Sequence, residues 1–130
     1  MGPFEWLFLI GRILFAAIFI LSGVNHFAQL NGMAQYAGSK GVPAPKLMVA
    51  LSGIVILLGG LSILFWFWVK LGAWLLVAFL LVAAFTIHNF WAVEDPMQRQ
   101  GEQAQFMKNL AMAGAAIILY AAAIHPEIFN

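Results

Sequence analysis

Four long apolar runs, separated by more polar stretches, constrain this chain more than any other feature of its sequence. The runs cover residues 4–27, 47–67, 71–91 and 106–124. A helix needs roughly 20 apolar residues to cross a bilayer, and each run has about that length. Only 8% of the residues are charged, whereas a soluble domain has about 25%. The sequence therefore predicts an all-α fold, a transmembrane four-helix antiparallel bundle with lipid as its solvent.

Composition and charge exclude several classes of function. The formal net charge is +1, so the chain offers no basic surface for nucleic acid. It contains no cysteine, which excludes disulfides, thiolate metal sites and covalent haem attachment. His26 and His88 lack partners at metal-ligand spacing, so we expect hydrogen bonding rather than a metal or haem site. No acidic residue lies in the middle of a run, which argues against a proton or cation relay.

The connections between the runs predict a single domain, residues 1–130, in which sequential helices are antiparallel neighbours. In the first loop, Met33, Tyr36 and Ala37 share a helical face, which predicts a short interfacial helix. We expect a tight turn at Val69-Lys70, because the aromatic group just before it is typical of a membrane boundary.

Small residues are predicted to hold the helices together. Because helices in lipid gain no hydrophobic free energy by associating, glycine and alanine favour association by letting backbones approach closely. The best candidates for such contacts are Gly53, Gly60, Gly72, Ala84 and Gly114.

Two polar residues are assigned structural roles. Asp95 is a suitable N-cap, with Pro96 at the first helical position, so a helix is expected to start there. Arg12 lies eight residues after Phe4, or roughly 12 Å along a helix. An arginine at that depth faces the bundle interior or snorkels. We expect it to face inward, hydrogen-bonded to groups such as Ser62 and Tyr120.

Polar residues at the ends of the runs converge on one side of the membrane. With four spans, both termini lie on one side, here called side A, and both long loops lie on the other, side B. The first and third runs end on side B, and the fourth begins there. We therefore predict one pocket open to side B with seven ligand-binding residues: His88, Asn89, Trp91, Lys108, Asn109, His26 and Asn25. The alternative is that membrane boundaries simply attract such residues.

Lys108 has two interpretations. Its positive charge is unfavourable near a helix N-terminus, where the helix dipole favours anions. A carboxylate partner is therefore expected, either Asp95 or Glu94, in a structural clamp. The other interpretation is that the ammonium group faces a ligand.

Several short motifs, taken together, resemble those of a known membrane-protein family. They are Gly11-Arg12, Gly23 with Asn25-His26-Phe27, Tyr36 with Gly41-Val42-Pro43, His88-Asn89-Phe90-Trp91, and Phe106-Met107-Lys108-Asn109-Leu110 with Gly114. The chain thereby resembles the DoxX family of small four-helix integral membrane proteins. The resemblance implies a link to membrane oxidoreductases and quinone, while distant relatives act as assembly factors. It assigns no catalytic residues.

We expect an accessory subunit of a membrane redox system that binds a quinone or lipid-like ligand at the membrane boundary. The alternative is a non-enzymatic membrane scaffold or assembly factor for a partner protein. The expected partners are the lipid bilayer and a membrane-associated oxidoreductase, and a homo-oligomer is left open. The expected location is the bacterial cytoplasmic membrane. The sequence does not decide whether the protein is an enzyme.

Side B is predicted to face the cytoplasm. Cytoplasmic loops are enriched in Lys and Arg. Side A carries Lys70, the N-terminal amine and, if it snorkels, Arg12, whereas side B carries Lys40, Lys46, Arg99 and Lys108. Both termini, on side A, should then lie outside the cytoplasm. A reporter that is active only outside the cytoplasm should therefore be active when it is fused to the C-terminus. A cytoplasmic reporter signal would reverse the orientation.

Overall fold

Long apolar segments fold as helices in a bilayer because their backbone N–H and C=O groups have no water to bond. The computed structural model describes residues 1–129, with α1 at Pro3–Ala28, α2 at Leu30–Ser39, α3 at Pro45–Phe65, α4 at Val69–Thr86 and α5 at Pro96–Ile124. Two 3-10 segments, Phe90–Ala92 and Pro126–Phe129, and no strand complete this part of the chain. Helices α1, α3, α4 and α5 are long and apolar enough to cross a membrane. The predicted all-α fold with four spanning helices is confirmed.

Helix α3 lies at the centre of the packing. It contacts both α1 and α4, and α4 also contacts α5. The core lies mainly between α3 and α4, where Ile56, Ile63, Leu76 and Leu80 are fully buried. Within residues 1–129 the backbones of α1 and α5 do not come together. The short helix α2, which the sequence predicts, packs against α3.

The turn between α3 and α4 lies at Trp66–Trp68, so the prediction of a turn at Val69-Lys70 is wrong. Ser62 ends α3 with two bonds: its carbonyl accepts from the N–H of Phe67 at 3.0 Å, and its hydroxyl donates to the carbonyl of Phe67 at 2.6 Å. The first and last residues of the turn have left-handed φ values of 55° and 54°, which reverse the chain quickly. Val69 and Lys70 therefore already belong to the first turn of α4.

Helix α4 ends at Thr86, and the candidate membrane span continues through the 3-10 segment to Ala92, close to the predicted end of the third span at residue 91. The N–H groups of Ile87 and His88 both donate to the carbonyl of Ala83, at 2.9 and 3.1 Å, and this shared acceptor closes the helix. His88 consequently lies in the connection to α5 rather than inside a helix.

Helix α5 begins at Pro96, well before the apolar run predicted as a span from residue 106. Asp95 acts as its N-cap, as the sequence predicts, because its carboxylate accepts from the backbone N–H of Gln98 at 3.0 Å. Capping chemistry therefore decides where this helix starts, and its polar first turns extend toward side B.

Close backbone contacts occur at most of the predicted small residues. A Cβ atom on Gly53 would lie 2.9 Å from the Cβ of His26, and one on Gly72 would lie 2.5 Å from the Cβ of Ser62. Gly60 also approaches α1 closely, and Ala84 is fully buried. Gly114 was predicted wrongly, since a Cβ there would meet nothing within 4 Å. Gly23 and Gly59, which were not among the predicted residues, also lie at helix contacts.

Gly72→Ala should lower stability, because the added methyl group would overlap Ser62 at the α3–α4 contact. Overpacking of this kind costs about 1–3 kcal/mol. Gly114→Ala is the matched control: it adds the same methyl group to a helix in open space and should leave Tm unchanged or higher. Thermal unfolding in detergent, followed by circular dichroism, measures both. Equal Tm values for the two variants would contradict the expected contact.

Candidate functional site

A cavity of 1120 Å³ lies between the side B ends of the helices. Ligand cavities usually measure about 300–1,000 Å³, so the space suffices for a sizeable amphiphile. All five α-helices contribute to its wall, together with the connection between α4 and α5. Six of the seven residues predicted to bind ligand line it: Asn25, His26, His88, Asn89, Lys108 and Asn109.

The inner part of this cavity is apolar. On α1 its wall extends from His26 back to Ile18, a distance of eight residues, or roughly 12 Å along the helix. Phe19, Ile56 and Leu80 continue the apolar wall on α1, α3 and α4. The lysine and histidine side chains lie toward side B, so the cavity combines an apolar body with a polar mouth.

His26 is buried and has a defined orientation. Its Nδ1–H donates to the carbonyl of Ser22, one turn earlier on α1, at 2.7 Å, and its ring packs against Phe79 with 6.1 Å between centroids. Because the hydrogen is on Nδ1, Nε2 of the neutral ring keeps its lone pair and is a hydrogen-bond acceptor. A hydroxyl group on a ligand is a suitable donor for it.

Glu102 organises the mouth of the cavity, although the sequence analysis did not select it. Its Oε2 atom accepts from Nδ1 of His88 at 2.7 Å, and its Oε1 atom accepts from the hydroxyl of Tyr36 at 3.2 Å. Partial burial and then the charge of Glu102 raise the pKa of Tyr36, so the phenol stays protonated at neutral pH and can donate. The spacing of Glu102 from Gln105 and Asn109 places the three on one helical face, a signal that could have identified it.

A second hydrogen bond also joins the region of α2 to the region around the α4–α5 connection. Nζ of Lys40, at the end of α2, donates to Oδ1 of Asn89 at 3.0 Å. Together with the bond from Tyr36 to Glu102, it ties α2 to the region around the α4–α5 connection. Lys40 and Tyr36 both line the cavity, so this pair of bonds lies at its mouth.

Lys108 and Asn109 enter the cavity from α5. Asn109 is buried, and its Nδ2–H donates to the carbonyl of Leu80 at 3.3 Å, which joins α5 to α4. Lys108 is exposed and lines the cavity. The clamp predicted between Lys108 and Asp95 or Glu94 is not formed among the described residues. Asp95 caps the start of α5, and Lys108 lies 13 residues later, roughly 20 Å away along the helix axis.

Trp91 does not line the cavity, so its prediction as a ligand-binding residue is not supported by its position. Its ring packs against Phe85, Phe90 and Phe106, with centroid distances of 6.1, 5.3 and 5.7 Å. Because α4 ends early, the 3-10 segment that follows turns the indole into this aromatic cluster. The rings of Phe90, Trp91 and Phe106 therefore pack on one another.

Arg12 does not line the cavity, and its surroundings differ from those predicted. Its guanidinium lies over the rings of Phe8 and Trp66, 5.1 and 5.5 Å from their centroids. Ser62 and Tyr120, the predicted partners, make other contacts: Ser62 bonds the turn after α3, and Tyr120 packs on Trp74. Cation–π attraction rather than hydrogen bonding thus connects α1 with the α3–α4 turn.

Four spanning helices of this length and apolarity define the chain as an integral membrane protein. A model of the DoxX family matches residues 7–89, more than half of the chain, and the protein belongs to that family. The matched range contains Asn25, His26, His88 and Asn89 but ends before α5, so Lys108 and Asn109 lie outside it. The chain has no significant match among curated proteins or solved structures.

Glu102→Ala should loosen α2, because it removes the acceptor of both Tyr36 and His88. Each lost bond is worth about 1 kcal/mol. Amide hydrogen exchange in residues 30–40 should accelerate several-fold. Glu94→Ala is the control, since Glu94 is exposed and makes no side-chain hydrogen bond among the described residues. The same exchange rate in both variants would show that Glu102 does not hold α2.

Proposed function

We propose that the protein is an accessory subunit of a membrane redox system that holds a quinone or lipid-like amphiphile at the side B boundary. The observation that carries this proposal is the cavity, which has an apolar body and a polar mouth. An amphiphile needs such an arrangement, with its tail among apolar side chains and its head near a few oriented polar groups.

The mouth offers hydrogen-bonding groups for both states of a quinone head. Lys108 and the amide nitrogens of Asn25 and Asn89 are donors for a quinone carbonyl. In the neutral form of each ring, Nε2 of His26 and Nε2 of His88 are acceptors for quinol hydroxyls, because both Nδ1–H groups donate to protein oxygens. A site of this kind holds the head in either state without large rearrangement.

In this proposal the protein presents the ligand, and a membrane-associated oxidoreductase exchanges electrons with it. The division of roles agrees with a chain that has no cysteine for thiol redox chemistry. The proposed location is the bacterial cytoplasmic membrane.

Purification in mild detergent, followed by native mass spectrometry of the intact protein, tests the proposal. We expect a bound amphiphile in the wild-type protein. His88→Ala should release it while the helices stay folded, because His88 lies in a connection rather than in the helix core. Binding of a short-chain ubiquinone analogue to the two proteins gives the affinity, and we expect at least about a tenfold loss, the effect of roughly 1.4 kcal/mol.

His125→Ala is the matched control. His125 is exposed, lies beyond the end of α5 on side A and also pairs through Nδ1 with a glutamate, Glu127, at 2.9 Å. This variant should keep its bound amphiphile. If His88→Ala lowers Tm but retains the ligand, the bond to Glu102 is structural and the proposed binding site is wrong.

A further inference from the structure

We infer that the mouth of the cavity recognises an anionic headgroup, a phosphate or carboxylate, carried by a membrane lipid. The inference rests on the proposed function, since it names the headgroup charge of the amphiphile that the cavity would hold. Its basis is the placement of two lysines, Lys40 and Lys108, at the end of an apolar cavity.

The ionisable side chains that line the cavity include no carboxylate. Among the described residues they are His26, Tyr36, Lys40, His88 and Lys108. Lysine is charged at neutral pH, and the described lining contains two lysines and no aspartate or glutamate, so these lining residues contribute two positive charges. Glu102, which is bonded to His88 and Tyr36, adds one negative charge beside the mouth, so the two lysines leave a net charge of +1 there, which favours a negative head over a neutral one.

Neither lysine is neutralised by an acidic side chain in the described part of the chain. Lys40 bonds to a neutral amide oxygen, that of Asn89, and Lys108 has no carboxylate within salt-bridge distance. The nearest acidic residue on α5 before Lys108 is Glu102, six residues or roughly 9 Å earlier along the helix. Its two oxygens are occupied by His88 and Tyr36.

The position of the apolar body argues for a lipid rather than a free ion as the source of the anion. Several apolar residues that line the cavity belong to the membrane spans and are exposed rather than buried: Ile18, Leu51, Val82 and Phe85. The cavity is thus accessible from the side, and an acyl chain entering there would place its headgroup at the boundary beside the lysines. Amides at the mouth, Asn25 and Gln105, add neutral donors for its oxygens.

Lipid selectivity of the full-length protein tests the inference. Phosphatidylglycerol and phosphatidylcholine with identical acyl chains are titrated into the detergent-purified protein and counted as bound adducts by native mass spectrometry. A lysine near an anionic lipid contributes about fivefold in affinity. We therefore expect wild type to prefer the anionic lipid about tenfold or more, and Lys108→Gln to lose about fivefold of that preference. Lys108→Arg, which keeps the charge, should restore it.

Lys46→Gln is the matched control. Lys46 is also an exposed lysine at the side B boundary, in the first turn of α3, but it does not line the cavity. This variant should keep the full preference. An equal loss in the Lys46 and Lys108 variants would overturn the inference, since general surface charge would then explain the binding.

Two further titrations distinguish a failure of the headgroup inference from a failure of the proposed function. Inorganic phosphate at millimolar concentration should not displace the bound lipid, and complete displacement would identify a free-anion site instead. A short-chain ubiquinone analogue is then titrated into the same protein. If it binds and the anionic lipid shows no preference, the headgroup inference fails and the proposed function stands. If neither amphiphile binds, both fail.

Discussion

Close backbone contact at the glycines of α3 is the constraint on which the rest of the structure depends. Helices in lipid associate through packing, so positions without a side chain allow the nearest approach. Gly53 and Gly60 face α1, and Gly59 faces α4. Because α3 holds both neighbours and α4 in turn holds α5, the backbones of α1 and α5 stay apart. The cavity lies between their side B ends.

The short helix α2 packs against α3 and forms part of the mouth of this cavity. Its buried face, Ala34 and Ala37, contacts Val49 of α3, while its polar residues reach the opposite wall. Tyr36 bonds to Glu102, and Lys40 bonds to Asn89.

Charge is distributed unevenly between the two ends of the bundle. At side A, Arg12 interacts with aromatic rings near the α3–α4 turn. At side B, one carboxylate is used for two protein bonds, and the lysines of the cavity wall have no acidic partner among the described residues. An amphiphile with an apolar tail and an oxygen-rich head, as in the proposed function, complements this second arrangement.

The sequence by itself determined the number, order and spanning character of the helices, because long apolar runs have few alternatives in lipid. It also brought His26, His88 and Lys108 to one side, since the positions of helix ends follow from counting spans. It did not reveal that Glu102 joins His88 to Tyr36, or that Trp91 packs away from the cavity. Those pairings depend on the rotation of α5 and on the early end of α4. Both are decided by contacts between residues distant in the chain and by shared backbone acceptors, which hydropathy along the sequence does not record.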